Sequence, residues 1–187
     1  EISDPVTGDW NGEQAPEWVR HRRITRKLDQ LDKHLILSAR KHYYAMITHI
    51  DYELGRLFGE LKSQGLWDNT VIIFASDHGE MLGDHGLFHK SCFYDPSARV
   101  PLIYKPAKFQ TLPLEAGSVC EQPVLLADLY PTITELAGCT KASDKVERES
   151  QSLIQSMSPQ AERKRTLFGY IEEEGGFYMA TDGAWKY

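Results

Sequence analysis

The stretch from residue 71 to residue 90, VIIFASDHGEMLGDHGLFHK, constrains this chain more than any other. Val71 to Ala75 is a β-branched and aromatic run without polar alternation, the pattern of a strand buried on both faces of a parallel sheet. Ser76 marks its carboxyl end, and Asp77 and His78 follow at once. In open α/β sheets ligands sit outside the carboxyl ends of the strands, so this pair stands where chemistry is done. Gly79 then lets the backbone turn sharply, and Gly83 and Gly86 give the run to Lys90 freedom to fold back.

With 187 residues and 41% hydrophobic content the chain can bury a core. Its formal charge of -6 argues against nucleic acid as a main partner, because phosphate binding needs a basic surface. No apolar run is long enough to span a bilayer, and the opening EISDPVTGDWNG reads neither as a signal peptide nor as a natural start. Cys92, Cys120 and Cys139 are odd in number and lack CxxC spacing, so neither a disulfide framework nor a zinc knuckle is indicated.

A loop or linker is expected to about Pro16. Arg20, Arg22, Arg23, Arg26 and Lys27 then form a basic cluster, read here as a solvated helix face, with an anion-binding patch as the minor alternative. Leu35, Ala39, Tyr43, Ile47, Ile50, Leu54, Leu57 and Leu61 recur at three and four, which describes one face of a helix over 35–64 that Gly65 stops. Tyr43, Tyr44 and Asp51 receive no functional role. This helix and the strand at Val71 make half of a βαβ unit. VPLIY is a second strand, with Pro101 at its edge or start, and Lys105 to Gly117 is loop. Around Asp128 the grammar is helical: Asp128 as N-cap, Pro131 in the first turn, Leu129, Ile133 and Leu136 on one face, Gly138 as terminator. After a polar stretch from Thr140 to Arg165, the end of the chain reads as a hairpin turning at Gly175 and Gly176, with alternating aromatics in its arms.

Asp77 is a hard oxygen donor and His78 a borderline nitrogen donor, so together they can fill two positions of a divalent metal shell. Lys90 is a point charge suited to an anionic substrate oxygen. The same residues also fit a purely structural reading, with Asp77 capping a turn, His78 and His85 hydrogen-bonded, and Lys90 solvated. A zinc site on His78, His85 and His89 is disfavoured, because Gly83 and Gly86 oppose the helix it needs and no Glu follows His85 as base.

The string SDHGEMLGDHGLFHKSCFYDPSARVPLIY, with DNTVIIF before it and QPVLLADLYPTITELAG after it, closely resembles the carboxyl-terminal half of the catalytic domain of sulfatases in the alkaline phosphatase superfamily. The likeness runs from about residue 40 to residue 139, and more faintly through TDGAWKY. It implies an α/β fold: part of an alkaline-phosphatase-like mixed sheet flanked by helices over 1–140, and part of a small carboxyl-terminal antiparallel subdomain over 141–187. It also implies that Asp77 and His78 bind one divalent cation, usually calcium, with manganese or magnesium as alternatives, and that Lys90 contacts the sulfate. These roles suit the chemistry, since a cation and a lysine together neutralise sulfuryl oxygens as charge builds during transfer. Arg99 matches the arginine of an Arg-x-Pro element with a structural role. His85 is close enough in sequence to touch substrate, but a loop-bracing hydrogen bond is the favoured reading.

The departures shape the expectation equally. Sulfatases are longer, and their nucleophile is a formylglycine made from a Cys/Ser-x-Pro-x-Arg motif in the amino-terminal half. Cys120-Glu-Gln-Pro123 has the wrong spacing for it, and Ser3-Asp-Pro5-Val-Thr7 lacks the arginine. The early aspartate pair that completes the metal shell is also missing. The resemblance therefore implies an enzyme part that hydrolyses a small-molecule or saccharide sulfate ester together with the amino-terminal half of the same protein. A phosphonate or phosphate ester hydrolase of the same superfamily, which FYDPS also resembles, is the alternative, and a non-catalytic relative serving as a binding module is another.

Overall fold

The computed structural model describes residues 2–6, 15–139, 150–158, 165–172 and 176–187. The chain divides into two compact units, Glu1–Lys108 and Phe109–Tyr187. The subdomain boundary expected near residue 140 lies outside the described residues, as does Gly175 of the expected hairpin turn.

In the first unit, helix α1 (Glu17–Thr25) leads through a 3-10 turn at Leu28–Gln30 to helix α2 (Lys33–Ser63). Asp32 caps α2 by accepting the Leu35 N–H at 2.8 Å, and Gly65, at φ 69°, ends it in the left-handed conformation that favours glycine. Strand β1 (Ile72–Ala75) and strand β2 (Leu102–Lys105) follow, with the short helix α3 (Asp95–Ala98) between them. The end of β2 is pinned to the turn before β1: Lys105 Nζ donates to the carbonyls of Trp67 and Thr70 at 2.7 and 2.9 Å and lies over the Trp67 ring.

Two expectations are corrected here. The strand at Val71 does not pair in parallel, since β1 pairs antiparallel with β2, Ile72 opposite Lys105 and Ala75 opposite Leu102, and all four of its residues are half-buried. A continuous apolar run reports coverage on both faces but carries no information on partner direction. The basic segment is a solvated face only in part: Arg26 and Lys27 are exposed and Arg20 and Arg23 half-buried, but Arg22 is buried. The helical period sets Ala15, Val19 and Arg22 on one side of α1, where Val19 and Arg22 are 0% and 1% exposed, and Val19 packs with Met81, Leu87 and Cys92 in the core. The apolar spacing of α2 forms the expected long helix, yet Leu35, Ile47, Ile50 and Leu57 on that face are exposed.

In the second unit, helix α4 (Leu129–Leu136) starts where expected, and Gly138 ends it at φ 68°. Asp128 stands at its N-cap position, but its carboxylate does not cap α4. It is fully buried and accepts from the backbone N–H groups of Leu125 and Gln151 at 2.8 and 2.9 Å and, bidentate, from Arg165 at 2.6 and 2.9 Å. On α4 the buried residue is Thr132, whose hydroxyl takes the N–H of Leu153 from helix α5 (Leu153–Ser156), while Ile133 is exposed. Strands β3 (Leu167–Ile171) and β4 (Phe177–Thr181) form the antiparallel hairpin, with the rings of Tyr170 and Tyr178 4.8 Å apart on its exposed face.

Candidate active site at the end of strand β1

Asp77 and His78 leave β1 directly. The Ser76 hydroxyl donates to the His78 carbonyl at 2.8 Å, and the His78 N–H donates to Asp77 Oδ1 at 3.0 Å. On the ring, Nδ1 lies 2.8 Å from the Gly79 carbonyl. A carbonyl only accepts, so this contact places a ring proton on Nδ1 and turns Nε2 outward, 3.4 Å from Asp77 Oδ2. One nitrogen and one carboxylate oxygen thus face the same point. The Asp77 side chain is 84% exposed and that of His78 39%, so both donors are open to a ligand. Asp77 is held below the ordinary carboxylate range, chiefly by the His78 N–H and against the opposing effect of desolvation, with lesser contributions from the charge of His78, its own backbone N–H and, least, the charge of Lys90.

The loop behind this pair is closed by hydrogen bonds. Gly79 and Glu80 donate to the carbonyls of Ser97 and Pro96 on α3, both at 2.8 Å. The approach is so close that a Cβ on Gly79 would stand 1.9 Å from the Pro96 oxygen. Gly79→Ala is accordingly expected to lower unfolding stability by about 3 kcal/mol, at the upper end of ordinary substitutions, because backbone must move rather than a side chain. Urea unfolding measures it, and a loss under about 1 kcal/mol would mean that α3 yields freely.

Glu80 braces the far side, accepting the N–H groups of His89 at 2.6 Å and Leu82 at 3.2 Å. Arg40, buried on α2, donates to the carbonyls of Ser3 and Leu82 and to Asp84 Oδ1, and Asp84 also takes the Val6 N–H. The His85 ring packs against Tyr94, centroids 4.7 Å apart. Lys90 is exposed, and the carbonyls of Lys90 and Ser91 accept from Arg22. Arg99 is exposed directly after α3.

The structure thus sets Asp77 and His78 together at the end of β1 and leaves Lys90 exposed on the loop that follows. It sets His85 against Tyr94, and among the described residues no group of three or more His, Cys, Asp or Glu side chains is placed to hold a metal. Sequence reasoning missed Arg22, Arg40 and Glu80. For Arg22 a signal existed, since it stands at i+3 from Val19 and i+7 from Ala15, but a dense basic cluster masks such a position. Arg40 and Glu80 carry no comparable mark.

Residues 3–139 match the family model described as Sulfatase. The chain is 35% identical over 179 residues to an arylsulfatase of Clostridium perfringens, an overlap covering 95% of this chain and 35% of that protein. A structure solved in complex with its substrate D-glucosamine-2-N,6-O-disulfate superposes with TM-score 0.70 at 25% identity, covering 89% of this chain and 35% of the other. The phosphonate monoester hydrolase of Agrobacterium radiobacter superposes with TM-score 0.65 at 26% identity, covering 83% and 34%. The chain belongs to the sulfatase family, within the alkaline phosphatase superfamily. It spans about a third of the length of these relatives.

Proposed function

We propose that this chain is the carboxyl-terminal part of a sulfate ester hydrolase, in which Asp77 and His78 give two donors to one divalent cation, calcium, and Lys90 binds an oxygen of the sulfate. The observation that carries the reading is the meeting, at the end of β1, of the Asp77 carboxylate and the outward Nε2 of His78, with Lys90 exposed on the loop that follows. The donor set fits the ion: an anionic oxygen that stays ionised, beside an imidazole whose tautomer is set by its second nitrogen, as metal-bound histidines usually are. When bound, a cation there supplies charge against the oxygens of the transferring group. The chain's own residues do the rest: Asp77 and His78 orient that charge, and the Lys90 ammonium donates to the group as negative charge grows on it.

The formylglycine nucleophile and the remaining carboxylates come, on this reading, from an amino-terminal half outside these 187 residues. Support lies in the lack of a Cys/Ser-x-Pro-x-Arg motif in the sequence and in the third of a relative's length that the chain spans. Likeness to the protein solved with a disulfated glucosamine favours a saccharide sulfate as substrate. A phosphonate ester is the second reading, favoured by likeness to the phosphonate monoester hydrolase.

Two measurements test the proposal. Calcium takes about six to eight oxygen ligands and this chain offers two donors, so calorimetry is expected to find binding on the order of millimolar or weaker. Micromolar binding abolished by Asp77→Ala would show a site complete without the missing half. In the complete enzyme, Lys90→Ala is expected to lower turnover of the preferred ester by about 10² to 10³, the usual effect of deleting one preorganised charge partner, with Tm almost unchanged. An unchanged rate removes Lys90 from the site.

A further inference from the structure

Lys90 stands between two residues in the left-handed backbone conformation, His89 at φ 67° and Ser91 at φ 68°. Neither is glycine, so the surroundings must hold both. On one flank His89 is held by Glu80, which takes its N–H, and by the Met81 N–H, which donates to its carbonyl at 3.0 Å. On the other flank the holder is Arg22. Its side chain is buried against the loop, Nη1 donates to the Ser91 carbonyl at 2.9 Å and to the Lys90 carbonyl at 3.3 Å, and the guanidinium lies 5.3 Å from the centre of the Trp18 ring.

We infer that Arg22 is a positioning residue for Lys90, clamping the carbonyls of the two successive peptides that follow it, 90–91 and 91–92, so that the Lys90 side chain starts from a fixed direction. The inference rests on the reading of Lys90 as the sulfate-binding residue. A lysine side chain is long and freely rotating, and only its Cα–Cβ direction can be set by the fold. Arg22 never meets the substrate; it works through backbone. The basic cluster that looks like a solvated or anion-binding face thus serves in part as a loop clamp, through Nη1 of Arg22. Lysine at position 22 keeps the charge but replaces the planar fork by a single compact ammonium, and the clamp slackens.

The first test needs only the 187-residue chain. Trypsin is expected to cut the Lys90–Ser91 bond at least about 10-fold faster in Arg22→Lys than in the native chain, while the exposed Arg56 site on α2 is cut at the same rate. Val19→Ala, which loosens the packing of α1 but spares the clamp, is the control and is expected to leave the ratio of the two cuts unchanged. Equal acceleration at both sites, or the same selective exposure in Val19→Ala, would reduce Arg22 to ordinary packing and overturn the inference. Arg22→Met, if it folds, should exceed Arg22→Lys in the same assay.

The second test uses the complete enzyme. Arg22→Lys is expected to lower kcat about 10-fold, consistent with a small misplacement of a group that acts in the transition state. It should cost nothing further in a Lys90→Ala background. Losses that multiply in the double variant would show that Arg22 acts elsewhere. If Lys90→Ala itself leaves turnover intact, the assignment of Lys90 fails and with it the part of Arg22 in turnover, whereas the proteolysis ratio still decides whether the clamp exists.

Discussion

No hydrolysis of an aryl sulfate is expected from the purified 187-residue chain with calcium present, and mixing with a separately made amino-terminal half is expected to restore it. Transfer through a covalent intermediate needs a nucleophile, and positioned nucleophilic attack accounts for a large part of the barrier lowering in such reactions. Asp77, His78 and Lys90 supply charge and orientation only. The same experiment has a physical readout besides turnover. The exposed Leu35, Ile47, Ile50 and Leu57 on α2 make a stripe that water tolerates poorly, so the chain alone should self-associate in sedimentation and become monodisperse with its complement. Metal-dependent turnover by the chain alone would mean that a nucleophile lies unrecognised within it. A mixture that stays inactive, with the stripe still driving self-association, would count against the division of the active site between two halves.

Asp128→Ala is expected to have the largest effect on stability, about 3–5 kcal/mol, the range for breaking one side of a buried ion pair. The carboxylate is fully buried, its partner Arg165 is only 15% exposed, and the N–H groups of Leu125 and Gln151 also end on it. Alanine leaves a largely buried guanidinium and two backbone donors without their acceptor, and each lost acceptor adds its own desolvation cost. Thr132 and Leu153, joined one turn further along, should loosen with it. Urea unfolding followed through Trp185 fluorescence reads this unit. Asp128→Asn, which keeps an acceptor oxygen but not the charge, should fall between Asp128→Ala and the native chain. A loss below about 1 kcal/mol for Asp128→Ala would show that the bridge is dispensable and that apolar packing holds the unit.

The readable parts of this chain were those governed by local rules. Period and a terminal glycine placed α2 over 35–64, Gly138 ended α4, and alternation with glycines announced the β3–β4 hairpin, because each depends on backbone preferences within a few residues. The site was legible to the extent that Asp77 and His78 follow a strand, and the length of the surrounding motif tied the chain to its family. Other features depend on partners far away in sequence. The antiparallel pairing of β1 with β2 is settled only in the fold, because an apolar run looks the same in either direction and the segment between the strands is long enough for either. Asp128 has the local signature of a cap, yet its carboxylate turns to Arg165, because a buried charge takes its strongest partner wherever the fold brings one. Arg22 is one of five basic residues between positions 20 and 27, and its spacing from Val19, the one local mark of a buried position, is masked by that cluster. Only the packing of α1 against the site loop, which turns its guanidinium onto the carbonyls of Lys90 and Ser91, gives it a different task from its neighbours.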